Sequence, residues 1–161
     1  MMMTTRSDEI VIRPATGDEL VDLRHEVLRA GLPREEGIFK EDDYPTTLHA
    51  GAFAGARNVG CATMMREAYK GRPAYRLRGM AVDPDFHRRG IGKRLLDLLE
   101  ARVRETNHTN FLWCNARTPA VPFYKSMGWT IVSEEFDIPT AGPHFVMVKE
   151  IEPQMGRDKH R

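Results

Sequence analysis

At 161 residues, with 41% hydrophobic and 29% charged side chains, the chain has the size and make-up of one globular domain with a sizeable core. Lysine and arginine total 24 against 23 acidic residues, which excludes a global field drawing the protein to nucleic acid or a membrane surface. No run approaches the ~20 apolar residues that span a bilayer, and the opening MMMTTRSDE lacks the apolar core and cleavage pattern of a secretion signal.

In chain order, EIVIRPA (9–15) predicts a short strand stopped by Pro14. Thr16, with Glu19 three residues on, forms a capping-box pattern, and Leu20, Leu23, Val27 and Leu28 mark the apolar face of the helix that follows. Pro33 to Asp43 is rich in charge and reads as a loop or short helix with a mobile surface. TTLHAGAFA and NVGCATMMREA, joined by GAR, predict a hairpin, and AYRLRGMAV a third strand ended by Asp83-Pro84. Ile91, Leu95, Leu98, Leu99 and Val103 fall at helical spacing. NFLWCNA is a strand, TPAVPFYKSM a short helix stopped by Gly128, and WTIVSEEF and HFVMVKEI a closing pair of strands. The polar ends, 1–8 and 152–161, read as flexible tails around one domain at 9–151, a mixed sheet with helices on its faces. Cys61 and Cys114 lie in apolar runs and read as buried reduced thiols, which suits a cytoplasmic protein.

The stretch HRRGIGKR (87–94) raises the question of chemistry. A Walker loop fails because Gly92-Lys93 is followed by Arg94, and a dinucleotide fingerprint fails because position 95 is leucine. A helix beginning near Gly90 still offers unpaired N–H groups, and Arg88, Arg89 and Lys93 add positive charge. That combination makes a pyrophosphate cradle; a plain strand-to-helix turn with a solvated basic cap is the alternative.

MAVDPDFHRRGIGKRLLDLLE resembles the acetyl-CoA motif of the GNAT superfamily of N-acetyltransferases, and LWCNARTPAVPFYKSMGW is similar to the strand and tyrosine-bearing helix that follow it. With RLRGMAV and GPHFVMVK, the wording is similar to a bacterial ElaA-like branch. The resemblance implies a central, mostly antiparallel six- to seven-stranded sheet flanked by helices. It also implies acetyl-CoA as co-substrate without a metal, and transfer of acetyl to a primary amine by direct attack. It assigns the backbone of Met80, Ala81 and Val82 to the pantetheine arm, His87, Arg88, Arg89, Gly90, Ile91, Gly92 and Lys93 to the pyrophosphate, and Asn115 to the cofactor arm. Asn115 capping the next helix is the competing account. His87 stands where the family carries Gln or Arg.

Tyr124 occupies the position of the family's general acid; a phenol with a pKa of ~10 is protonated at neutral pH and can supply a proton to a departing thiolate. The competing account makes it an aromatic of an amphipathic helix, with Phe123 as the core member. The family's base positions match Arg76 and Arg78, whose guanidiniums stay protonated and cannot act as bases. Proton removal then falls to water or to His49, Glu67, Glu134 or His144. Arg76 and Arg78 either bind an acidic acceptor or pair with acids of the neighbouring strand, and His144 lies where acceptors bind in the family. A non-catalytic acyl-CoA-binding module is the rival reading. The partner is expected to be a small-molecule or peptide amine, with the chain as monomer or homodimer and no part for nucleic acid or membrane.

Overall fold

A computed structural model describes residues 9–153, a mixed α/β arrangement built on a mostly antiparallel open sheet with helices against it. The expected flexible tails fall outside the described residues, apart from Glu152 and Pro153.

Described residues 9–65 and Gly79–Arg102 form one compact unit. Its strand β1 (Ile10–Pro14) runs antiparallel to β2 (Leu48–Ala54), which turns through Gly55-Ala56 into antiparallel β3 (Arg57–Arg66). Helix α1 (Gly17–Leu28) starts as its sequence dictates: Thr16 Oγ1 accepts from the Glu19 N–H at 3.3 Å, and Glu19 Oε1 accepts from the Thr16 N–H at 2.9 Å. Arg13 pairs with Glu19 at 2.8 Å, and with the Thr16 amide it holds the Glu19 carboxyl down to about 2. Thr16→Ala is expected to remove about 1 kcal/mol of stability, read from the shift of a urea midpoint at constant slope. Leu20 and Leu23 of α1 pack with Cys61 and Ala81 into a buried cluster.

The second unit comprises Arg66–Arg78 and the described residues from Val103 onward. Strand β4 (Tyr75–Val82) starts here and ends in the first unit; helix α2 (Ile91–Thr106) does the reverse. β4 is parallel to β5 (Phe111–Arg117) through Tyr75↔Leu112 and Arg76↔Trp113, and the register records no further pair among the described residues. β5 then pairs along its whole length with antiparallel β8 (Gly142–Glu150). The helix α3 (Val121–Ser126) follows a single 3-10 turn at Thr118–Ala120 and stops before Gly128, whose φ is +94°. Ala74, Phe111 and Trp113 form this unit's own core cluster, and Trp129 is buried beside Tyr124 with ring centroids 5.6 Å apart.

The strand order is β1-β2-β3-β4-β5-β8-β6, with β7 also on β8. That makes eight strands among the described residues where six or seven were expected, because WTIVSEEF is not one strand. It breaks into β6 (Thr130–Ile131) and β7 (Phe136–Ile138), both on β8. A side chain interrupts the ladder there: Ser133 Oγ, rather than a backbone carbonyl, accepts from the Val146 N–H at 2.8 Å.

Candidate functional site

The turn at the head of α2 is fixed from several sides. The Asp83 N–H donates to the Val59 carbonyl at 2.9 Å, and the Asp83 carboxylate accepts from the Asp85 N–H at 2.9 Å and from Arg57 at 2.6 Å. The Asp85 amide first, and Arg57 with it, hold the Asp83 carboxyl below its ordinary range. His87 Nε2–H donates back to the Val82 carbonyl at 3.0 Å, which closes the loop over the end of β4. A Cβ at Gly60 of β3 would come 2.9 Å from Ile91 Cγ2 and 3.1 Å from Leu95 Cδ1, so a bare position there lets the first turn of α2 lie close.

Within this frame Arg88 and Gly90 both hold left-handed backbones, at φ +68° and +73°. For arginine that conformation costs about 1–2 kcal/mol, a strain that an anchored loop can hold. The Gly90 carbonyl accepts the first helical bond, from the Arg94 N–H at 3.1 Å. The amides of Ile91, Gly92 and Lys93 precede that bond, so by helix geometry they have no partner within α2. Arg88, Arg89 and Gly90 are exposed; Arg89 lies over the Phe86 ring at 4.9 Å, and Lys93 pairs with Asp97 at 2.8 Å. Of the preceding strand residues Ala81 is buried, and Met80 and Val82 are half-buried.

The other sequence-predicted residues belong to the second unit. Tyr124 is buried while Phe123 is only half-buried, the reverse of the core-aromatic account: Val121 and Tyr124, three apart, share the inward side of the short helix. Burial first, and the neighbouring Cys114 second, push the Tyr124 phenol up from its ordinary value. Asn115 is half-buried opposite Val146, two residues before the end of β5. The N-cap of α3 is Ala120, which makes no side-chain cap.

Arg76 and Arg78 share one parity of β4 with Met80 and Val82, all half-buried, while Tyr75, Leu77 and Ala81 point to the buried side. Arg76 donates to Glu67 at 3.2 Å and lies 4.9 Å over the Trp113 ring, and its Nε is buried with no acceptor. His144 is buried three residues into β8, donates through Nδ1 to the Gly142 carbonyl at 2.8 Å and lies tilted beside Phe136, with ring centroids 6.1 Å apart.

Sequence reasoning missed a buried polar network in the first unit. Arg24, 1% exposed, donates through Nη1 to Asp42 Oδ2 at 2.8 Å and the Gly37 carbonyl at 2.9 Å. Its Nη2 donates to Asp42 Oδ1 at 3.1 Å and Thr63 Oγ1 at 2.9 Å. Thr63 in turn donates to His49 Nδ1 at 2.8 Å, and His49 Nε2–H donates to the Asp42 carbonyl at 3.0 Å. The donors and acceptors balance with a neutral His49, in keeping with burial, which lowers its pKa. Both ring nitrogens are therefore occupied internally. The network also corrects the mobile surface expected for Pro33–Asp43: after a 3-10 turn at Arg34–Gly37, both Phe39 and Asp42 are buried. The available signal was a charge on a buried stripe, since Gly17, Leu20 and Arg24 lie on one face of α1.

Burial pushes the Cys61 and Cys114 thiols up from 9.0 to about 12, and the Tyr124 phenol upward as well. These groups keep protons that the unfolded chain releases first, so their stabilisation is complete below pH ~9 and is lost as pH rises towards 12. Each group steepens the decline by up to about 1.4 kcal/mol per pH unit. Urea midpoints at pH 8, 10 and 11 test this, and a constant midpoint would show the groups hydrated in the folded state.

The family model of the acetyltransferase (GNAT) domain matches residues 35–149. An uncharacterized N-acetyltransferase of Bacillus subtilis, YitI, is 29% identical over 143 residues, covering 87% of this chain and 95% of its own. Among solved structures, Escherichia coli ElaA superposes with a TM-score of 0.74 at 16% identity, over 88% of this chain and 100% of its own. An aminoglycoside 6'-N-acetyltransferase complexed with coenzyme A gives a TM-score of 0.72 at 17% identity, over 90% and 99% of the two chains.

Proposed function

Because the chain belongs to the GNAT acetyltransferase family, we propose that it uses acetyl-CoA to acetylate a primary amine by direct attack on the thioester. The observation that carries this reading is the turn at the head of α2, where Arg88 and Gly90 hold left-handed backbones and exposed Arg88 and Arg89 stand beside leading amides that have no partner within the helix. Such a turn suits a pyrophosphate, with His87 through Lys93 around it. The edge of β4 at Met80–Val82 serves the pantetheine arm, and one of its amides polarises the thioester carbonyl. Asn115 contacts the same arm.

In the reaction the amine nitrogen bonds to the acetyl carbon and the C–S bond breaks. Tyr124 gives its hydroxyl proton to the leaving sulfur, and water takes the proton released by the amine. Arg76 and Arg78 receive an acidic group of the acceptor, with His144 meeting it through Nε2. The acceptor is a small-molecule or peptide amine, and the buried thiols of Cys61 and Cys114 suit a reducing, cytoplasmic setting.

Acetyl-CoA at a hundred times its Kd is expected to add about 2.7 kcal/mol of stability. No shift in the melting temperature at saturation would overturn the reading. A panel of neutral and acidic amines, followed by CoA release, then tests turnover. Binding without release from any amine would support the non-catalytic module, which the arginines in place of a strand carboxylate favour.

A further inference from the structure

One residue of β4 departs from extended backbone: Gly79, at φ +67°, immediately before the Met80–Val82 edge. An ordinary strand residue lies near φ −120° to −140°, so the chain changes course there. What surrounds Gly79 is unusually specific. A Cβ on it would come 3.0 Å from Arg24 Nε and 3.1 Å from Phe39 Cε2, so its α-carbon lies flat against the guanidinium and the ring. These two are themselves stacked, with Arg24 Cζ 3.9 Å from the Phe39 ring centroid. On its carbonyl side, Gly79 accepts from Cys61 Sγ at 3.3 Å.

Arg24 Nε is buried without any acceptor, although both terminal nitrogens of the same side chain are fully used. A guanidinium serving only to tie Gly37 and Asp42 gains nothing from an orphaned donor, which destabilises the fold. Its position is accounted for if the flat of the side chain is needed as a wall. We propose that Arg24 is a positioning residue for acyl transfer: with Phe39 it holds Gly79 in its left-handed conformation and so sets the course of Met80–Val82. The inference rests on the proposed function, which alone gives that edge a reacting partner.

The test compares wild type with Arg24→Lys, Phe39→Leu, Gly79→Ala and the Phe39→Leu/Gly79→Ala pair. It reads kcat, acetyl-CoA affinity by calorimetry, and hydrogen exchange of the Met80 and Ala81 amides with and without acetyl-CoA. Each single variant is expected to lower kcat about tenfold while CoA affinity stays within twofold. Protection gained on binding acetyl-CoA should fall by a similar factor, a readout that needs no acceptor. The pair should lose no more than the worse single variant, because both changes act on one kink.

Unchanged kcat and protection in folded variants, or effects that multiply in the pair, would overturn the proposal and leave Arg24 a purely structural residue. If Arg24→Lys does not fold, Phe39→Leu decides alone, since it removes the ring and keeps the Arg24–Asp42 pair. A wild type that binds no acetyl-CoA would overturn the proposed function itself, and this inference with it.

Discussion

Replacing Asp42 with alanine is expected to lower the stability of the protein by about 3–5 kcal/mol, the range for removing one partner of a buried ion pair. The carboxylate accepts from both terminal nitrogens of Arg24 and from the Phe39 N–H at 3.0 Å, so the variant strands three donors at once. At 1% exposure Arg24 cannot reach water without unpacking α1. Asp42→Asn should be milder, because one amide oxygen still accepts. Urea denaturation followed by far-ultraviolet circular dichroism measures both. A loss below about 1 kcal/mol for Asp42→Ala, the range of an exposed pair, would mean that the guanidinium is hydrated in solution.

Tyr124→Phe is expected to lower kcat by about two orders of magnitude, the lower range for a positioned proton donor. Acetyl-CoA affinity should hardly change, because in the proposed reaction the pyrophosphate turn supplies most of it. Removing one hydroxyl from a buried ring keeps the aromatic packing against Trp129. A phenol raised by burial is a weaker acid than in water, but the same desolvation raises the proton affinity of a thiolate released beside it. The raised value also keeps the hydroxyl protonated at neutral and mildly alkaline pH. The wild-type rate should therefore fall only above pH ~10, and the phenylalanine variant should lack that limb. Equal kcat in the two proteins would remove Tyr124 from proton transfer.

How much of this was legible in the sequence follows the range of the interactions concerned. The capping box of Thr16 and Glu19 closes within three residues, and the glycine turn before α2 within one loop, so both could be read directly. The hairpin of β2 and β3 was equally local. The break between β6 and β7 depends on Ser133 meeting Val146, thirteen residues away, and no pattern inside WTIVSEEF announces it. Arg24 joins residues eighteen and thirty-nine positions ahead, which made Pro33–Asp43 look mobile when its buried partners hold it in place. Tyr124 and Phe123 exchanged expected places because a helix of six residues gives too little periodicity to choose its inward side.

The placement of the indoles has an optical consequence. Trp113 and Trp129 are the chain's two tryptophans, both are buried, and both belong to the second unit. Their emission reports the solvation of residues around β5 and α3, whereas Thr16 and Asp42 lie in the unit that carries no such chromophore. Emission therefore follows the second unit, whereas helical dichroism is weighted towards the first, which holds α1 and most of α2. Coincident transitions would show the two parts melting as one cooperative system, and separated ones would resolve a half-melted species.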